Sequence, residues 1–486
     1  MSDLRTISLH NTITRKIEPV VPMTPGKVSL YTCGPTVYNF AHIGNLKTYL
    51  FQDLMKRTFM AAGYSVRHCM NITDIDDKII RNSQRNVSAS ANNEERHNAM
   101  RLLTAQYTDN FMQDFAELNI LLPTHIPKAT EHIQSMIHLI QKLENTGLAY
   151  VRDGSVYYRI ANFPNYGQMA KLDRQNMKIS TSTTSDEYSR DSVHDFALWK
   201  STKPGEPWWD SPWGQGRPGW HVECSAMGIK LLGEHVDIHS GGVDLIFPHH
   251  ENEIAQSEGY LGHPWVKSWV HSEFLLVNGE KMSKSLGNFY TLGDLKAKGF
   301  DPKVFRYSIQ SSSYRKILNF SFENLHASAH ALRRIKLFRK RMEENVAVED
   351  QPGSERLLHI HKRVQEAREN FWHAMCNDLN TPEAMAHIFN VIADINIQDD
   401  QDTLTRKERD TVLDFLDETN TIFACWPHEK TTTSDDVLSL IEQRKAAKAA
   451  LDWTKADQIR EQLRTMGVLL EDRKDGSVSW RSITED

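Results

Sequence analysis

The sequence predicts an α/β protein: a parallel-sheet domain split in two by an α/β insertion, then a helical region, then a small α/β unit at the C-terminus. Three observations carry this. Residues 28–73 read strand, loop, helix, strand. Residues 220–277 repeat that alternation after a polar, Trp- and Pro-rich interruption. Beyond Leu286 the pattern is mostly helical as far as Phe423.

In the first stretch, Val28, Leu30 and Thr32 alternate with Ser29 and Tyr31, as a short strand does, and Cys33-Gly34-Pro35 breaks it. Leu46, Tyr49, Leu50, Leu54, Phe59 and Met60 make a helical stripe that Gly63 ends. Residues 64–73 alternate again, completing a βαβ unit. The helix would begin just after His42-Ile43-Gly44-Asn45, and free N–H groups there are expected to receive a phosphate. Asp74, Asp76 and Asp77 fit no EF-hand and read as loop and cap residues.

Residues 94–122 and 129–146 read as amphipathic helices, and 149–160 as a hairpin turning at Asp153-Gly154. Residues 226–232 predict a helix closed by Gly233; 235–239 a strand running into Ser240-Gly241-Gly242; 249–259 a helix after Pro248; and 269–277 a strand. Near the end, 435–466 predicts a helix, with a hairpin around Asp475-Gly476. The expected division is 1–123 with 205–270 as the split sheet domain, 124–204 as the insertion, 271–334 as a connecting region, 335–427 as a helical bundle and 435–486 as the terminal unit.

With 486 residues, 40% hydrophobic and 25% charged, the chain has ordinary globular composition and length for about three domains. The N-terminus carries no apolar run of signal-peptide length, and no stretch reaches membrane-span length, so a cytoplasmic protein is expected. Five scattered cysteines suit a reducing compartment and free or metal-bound thiols. A net charge of −6 means that any polyanion must be met by local basic patches. One such run is Arg333, Arg334, Lys336, Arg339, Lys340 and Arg341, usually a solvated helix face but also a candidate phosphate contact.

His249 and Glu253 stand at i and i+4 and leave one helix face. With Cys33 and Cys224 they make a tetrahedral donor set suited to Zn²⁺; His250 with Glu253, at i and i+3, would serve nearly as well.

His42-Ile43-Gly44-Asn45 and the Lys-Met-Ser-Lys-Ser run from Lys281 to Ser285 resemble the two motifs of class I aminoacyl-tRNA synthetases, in the right order. Residues 32–38, 71–78, 218–227 and 247–256 resemble the cysteinyl-tRNA synthetase family in particular, and the likeness spans essentially the whole chain. That resemblance implies a Rossmann-type catalytic domain that ligates L-cysteine to tRNA(Cys) through a cysteinyl adenylate, using ATP with Mg²⁺. It implies one Zn²⁺ on Cys33, Cys224, His249 and Glu253, holding the substrate thiolate. It places His42, Asn45, Lys281 and Lys284 at catalysis; His42, Asn45, Gly241, Gly242 and Lys284 around ATP; and Gly34, Thr73, Trp220 and Asp244 around cysteine. Residues 435–486 become an anticodon-binding unit, with Lys448, Trp453 and Asp457 toward tRNA. The enzyme is expected to be a monomer with no membrane association. Asn45 stands where the class often has histidine, and Ser240 where relatives commonly have glycine.

Selecting cysteine by metal rather than by size also removes the need for a hydrolytic editing site, since one small group is worth only about 1–3 kcal/mol. Two other readings share these features. A cysteine ligase acting on an amino sugar needs no anticodon module, which residues 335–425 and 435–486 oppose. An inactive zinc-containing RNA-binding protein is opposed by the intact His42, Lys281 and Lys284.

Overall fold

The computed structural model describes residues 4–172, 195–283, 286–344, 355–398 and 404–426, and in the last sixty residues 440, 443–444, 447–448, 452–465, 468–472 and 478–482. It divides into two compact units, Met1–Trp426 and Pro427–Asp486.

The first unit is organised on a four-stranded parallel sheet. An N-terminal hairpin, β1 (Ser8–Asn11) and β2 (Lys16–Pro19), precedes β3 (Lys27–Thr32), α1 (Ile43–Ala61) and β4 (Ser65–Met70), the βαβ unit expected from the alternation. Then come α2 (Asp77–Ser83), α3 (Asn93–Glu117) and α4 (Ile133–Asn145). The insertion's antiparallel sheet is β5 (Ala149–Arg152), β6 (Ser155–Tyr158), β7 (Phe196–Ser201) and β8 (Gly216–Pro218), so it runs past residue 204. The main sheet resumes with α5 (Trp220–Leu232), β9 (Val236–Gly242), α6 (Glu251–Leu261) and β10 (Val266–Ser272), in the order β10-β9-β3-β4.

β3 lies in the middle, with Val28, Leu30, Tyr31 and Thr32 buried, as a parallel strand covered on both faces must be. Its register with β9 pairs Leu30 with Ile238 and Thr32 with Ser240. The carboxyl ends of the two strands therefore lie side by side, where open α/β sheets bind ligands. The Cys33 N–H donates to the Ser240 carbonyl at 3.2 Å, so the first residue after β3 is pinned to the end of β9.

Two elements differ from the sequence expectation. α5 begins at Trp220, six residues before the expected 226, which puts Cys224 on a helix. The helix after β9 is kinked: a short turn at Ile246–His250 precedes α6, Phe247 has extended φ/ψ, and the Phe247–Pro248 bond is cis.

Beyond β10, β11 (Leu275–Val277) pairs with β12 (Glu280–Lys281) across Asn278-Gly279, and with β13 (Leu318–Phe320) in parallel. Between them lie α7 (Leu292–Ala297) and α8 (Pro302–Gln310), and α9 (Phe322–Glu344) follows. α10 (Glu355–Cys376) packs on α11 (Thr381–Gln398) and α12 (Arg406–Phe423), and α12 packs on α1. Arg306 of α8 fastens this region to the sheet domain. Its fully buried guanidinium donates to the carbonyls of Leu118, Asn119 and Phe423 and pairs with Asp53, which also pairs with Arg57 at 2.8 Å.

In the second unit the helix Trp453–Thr465 precedes an antiparallel pair, β14 (Val468–Asp472) and β15 (Val478–Ser482). The expected linker at 428–434 lies outside the described residues. Asp452 stands between the helical residues 447–448 and the helix starting at Trp453, so the described part of 435–466 is not one continuous helix. Among the described residues no helix is long and apolar enough to cross a membrane.

Candidate active site and metal centre

A cavity of about 620 Å³ opens at the carboxyl ends of β3 and β9. Cys33, Gly34, Trp220 and Asp244 line one part; His42, Asn45, Gly242, Met282, Ser283 and Phe289 line another. Residues far apart in the chain meet here because the parallel sheet brings its loops to one edge.

Cys33, Cys224, His249 and Glu253 are all buried, and their ligand atoms lie within 4.8 Å of one another. The i,i+4 spacing delivers what was expected of it: His249 Nε2 and Glu253 Oε1 are 2.9 Å apart. Cys33 hydrogen-bonds Cys224 and pulls its thiol down to about 6 against the opposing effect of burial. Burial works against the charged form of Glu253, but His239 and His249 outweigh it and hold the carboxyl down to about 2. Burial also opposes the His249 imidazolium, and the Glu253 carboxylate overcomes that, raising it to about 10. Two soft sulfurs, an imidazole and a carboxylate, with more negative than positive charge out of water, are the donors that fit Zn²⁺.

The sequence left His249 and His250 as alternatives, and both are in place. Cys33, His239, His250 and Glu253 form a second candidate group. His250 Nε2 lies 3.2 Å from Cys33 Sγ, its Nδ1 is 2.7 Å from His271 Nε2, and His271 Nδ1 is 2.7 Å from Thr12 Oγ1. His239 Nε2 holds the second Glu253 oxygen at 2.9 Å. Such outer partners orient ligands. The roles of His239, His271 and Thr12 were not read from the sequence; the signal available was histidine density in 235–271.

At the start of α1 the structure corrects one expectation. The N–H groups opening α1 are not free. Ile43 N donates to the Tyr290 carbonyl at 2.9 Å, Gly44 N and Asn45 N donate to His42 Nδ1 at 3.1 and 3.2 Å, and Leu46 N donates to the His42 carbonyl. The donors left at this end of the helix are side chains. With Nδ1 accepting, the His42 proton sits on Nε2, and burial lowers its pKa, keeping the ring neutral. Asn45 Oδ1 accepts from His42 N at 3.3 Å, leaving its amide nitrogen as the donor.

Gly241 and Gly242 play different parts. A Cβ on Gly241 would meet the His250 ring at 2.8 Å, so this glycine serves packing. A Cβ on Gly242 would stand 2.3 Å from Asp244 Oδ1, and only this glycine of the pair lines the cavity. Ser240 is fully buried and absent from the cavity wall. Lys281 is exposed, its Nζ 4.7 Å from the Phe274 ring centroid, and is not among the lining residues. Lys284 lies outside the described residues.

Gly34 is required because a Cβ would come within 1.8 Å of the Asn71 carbonyl oxygen. Trp220, 38% exposed, lays its ring over His249 at 4.4 Å. Thr73 is not on the cavity wall. It is buried, its hydroxyl donates to Glu223 at 2.9 Å, and its backbone braces Pro35 and Val37.

Of the basic run in α9, Arg339 is buried and pairs with Asp417 and with Glu343, so it holds helices together rather than facing a polyanion. Lys336 lies 3.8 Å from Asp301. In the second unit Asp457 is exposed and Lys448 half-buried, while the Trp453 side chain lies outside the described residues.

Comparison with known proteins follows this geometry. Residues 19–330 match the family model of the tRNA synthetases class I (C) catalytic domain, 370–424 a DALR domain, and 431–481 the cysteinyl-tRNA ligase anticodon binding domain. The chain is 43% identical to a cysteine–tRNA ligase of Solibacter usitatus, over 98% of this chain and 99% of that protein. It is 44% identical to one of Chlamydia caviae, over 96% of each. Among solved structures, Mycobacterium tuberculosis methionyl-tRNA synthetase in complex with methionyl-adenylate matches with a TM-score of 0.55 and 14% identity, over 82% of this chain and 90% of that one. An Agrobacterium radiobacter LeuRS–tRNA–LeuAMS ternary complex matches with a TM-score of 0.58 and 11% identity, over 83% and 85%.

Proposed function

The chain belongs to the cysteine–tRNA ligase family of class I aminoacyl-tRNA synthetases, enzymes that charge tRNA with cysteine, and on that premise we propose that it works through a cysteinyl adenylate, with Zn²⁺ selecting the substrate thiolate. One observation carries the reading: a single cavity joins Cys33 of a buried Cys₂HisGlu donor set to the His42–Asn45 pair.

Cys33, Cys224, His249 and Glu253 would hold the metal. Zn²⁺ there lowers a thiol pKa and prefers sulfur, which separates cysteine from serine better than a pocket that measures size. Asp244, on the cavity wall, receives the substrate ammonium, and Trp220 closes the same side. In the first step a carboxylate oxygen of cysteine attacks the α-phosphorus of ATP, which enters with Mg²⁺, and pyrophosphate leaves. A carboxylate needs no general base, so positioning and charge stabilisation carry the step. His42 Nε2–H and the Asn45 amide donate to phosphate oxygens, and the charges of Lys281 and Lys284 neutralise the charge that builds there. Gly242 admits the nucleotide, and Gly241 supports it from beneath. Thr73 takes a positioning role, through Glu223 and the Pro35–Val37 loop.

In the second step a ribose hydroxyl at the 3′ end of tRNA(Cys) takes the cysteinyl group and AMP leaves. Lys448, Trp453 and Asp457 of the terminal unit engage the anticodon end, where an aromatic side chain can stack on an unpaired base and a cation can meet a phosphate. The enzyme acts as a cytoplasmic monomer. Pyrophosphate exchange with each amino acid, alongside tRNA charging, tests the reading: exchange with serine equal to that with cysteine would remove the metal's selective role.

A further inference from the structure

Two parts of the cavity are taken up by the cysteine and ATP of the proposed reaction, on which this inference rests. A third part is not. Tyr38, Asn39 and Phe40 in the loop before α1, Asp76 and Lys78 at α2, and Tyr107 of α3 line the same 620 Å³ space. Phe40 is 44% exposed although it stands two residues from His42, and its ring meets Tyr107 edge-on with centroids 5.3 Å apart. Behind them Phe111 is buried against Tyr49 and Phe115. The loop is fixed: Val37 N donates to the Thr73 carbonyl at 3.1 Å and Tyr38 N to the Thr36 carbonyl at 3.0 Å. Lys78, exposed, holds its ammonium 4.9 Å from the Tyr38 ring centroid.

An exposed aromatic ring at a reaction cavity, with an exposed cation near it, is the chemistry that receives an unpaired nucleotide: the base stacks on the ring and the cation meets the phosphate. Charging requires one more nucleoside in this cavity than activation does. We propose that Phe40 and Tyr107 form the shelf on which the base of the tRNA 3′-terminal adenosine stacks, with Lys78 meeting the phosphate that precedes it. A base held there leaves the terminal ribose free to reach the adenylate in the same cavity.

Single-turnover transfer from preformed cysteinyl adenylate in the full-length chain, with intact tRNA and with tRNA lacking its terminal adenosine as competitor, reads the shelf directly. In wild type the intact tRNA should bind better than the shortened one. Phe40→Ala should slow transfer by roughly tenfold, the lower-middle range of one base–aromatic stack, and erase the preference for the terminal adenosine. Phe40→Trp should restore both, which a purely structural role of Phe40 would not produce. Lys78→Ala should weaken intact tRNA and flatten its salt dependence, while a shortened tRNA ending in a 3′-hydroxyl, which lacks that phosphate, should be little affected. Transfer and preference unchanged in both Phe40→Ala and Tyr107→Ala would overturn the shelf. So would a raised KM for ATP in pyrophosphate exchange as the main effect, since the ring would then serve the ATP base. A wild type without cysteine-dependent exchange or charging would instead overturn the functional reading itself, and the shelf with it.

Discussion

His42 and Asn45 cap one another: His42 Nδ1 accepts from the Asn45 N–H at 3.2 Å, and Asn45 Oδ1 accepts from the His42 N–H at 3.3 Å. The reciprocal pair closes the N-terminus of α1 and consumes the N–H groups that would otherwise bind anions. It also leaves Nε2 of His42 and the amide nitrogen of Asn45 as the donors the pair does not use on itself.

Substitution at Asn45 separates capping from catalysis. Asn45→Asp keeps an oxygen to accept from His42 N but replaces the phosphate donor with a negative charge. Pyrophosphate exchange should fall by about 3 kcal/mol in barrier or more, while the melting temperature stays within error of wild type. Asn45→Ala should lose the cap as well, at about 1 kcal/mol of stability. Exchange at the wild-type rate in Asn45→Asp would take Asn45 out of the phosphate site.

Cys224→Ser should bind far less zinc than wild type, because a hydroxyl replaces a thiolate among four buried ligands. Elemental analysis of the purified protein after dialysis reads this out. Full zinc retention would sink the ligand assignment.

Lys284→Ala should slow cysteinyl-adenylate formation roughly 100-fold, the effect of removing one positioned donor to developing charge. Zinc content and thermal stability should not change. A single-turnover activation rate equal to wild type would remove the second motif from the mechanism.

Asp53→Ala should destabilise the first unit by about 3–5 kcal/mol, because Arg306 would stay buried without its counter-charge. The same pair predicts a pH dependence. Burial opposes the Asp53 carboxylate, but Arg306, Arg57 and the Leu121 N–H outweigh it and lower its pKa. A depressed folded pKa contributes stability that is fully present above the unfolded carboxylate value of about 3.9 and is lost as pH falls through the folded one. Thermal unfolding of wild type followed downward from pH 5 should therefore steepen below about pH 4. In Asp53→Asn that contribution should be missing.

Removing the terminal unit tests its part in charging. The cut belongs after Trp426, since Trp426 is buried and its indole donates to the Leu416 carbonyl at 3.3 Å. Such a chain should keep cysteine-dependent pyrophosphate exchange and lose kcat/KM for tRNA. Unchanged charging would deny the unit an anticodon role, and lost exchange would show that the cut falls inside a folded unit.

Much of this was legible in the chain. The period-2 and period-3.6 patterns of 28–73 gave strand, helix and strand because each buries one defined set of faces, and local order needs no distant partner to show itself. The His249–Glu253 spacing likewise resolved into a 2.9 Å contact, since the turn carrying His249 runs directly into α6, which carries Glu253. The start of α5 was missed because Trp220 to Cys224 carry no clean stripe, and packing against the sheet rather than propensity makes them helical.

What the sequence by itself determined is the set of parts: the βαβ unit, the two motifs, the donor types and the family they resemble. Only the tertiary structure decided how those parts are spent. It closed the α1 N–H groups on His42, turned Thr73 toward Glu223, used Arg339 between helices, and set Gly241 under His250 while Gly242 reached the cavity. The physical reason is that each is a contact between segments distant in the chain, or a choice among partners of equal local standing. Neither is encoded in spacing; both are settled by which atoms the parallel sheet brings to its carboxyl edge.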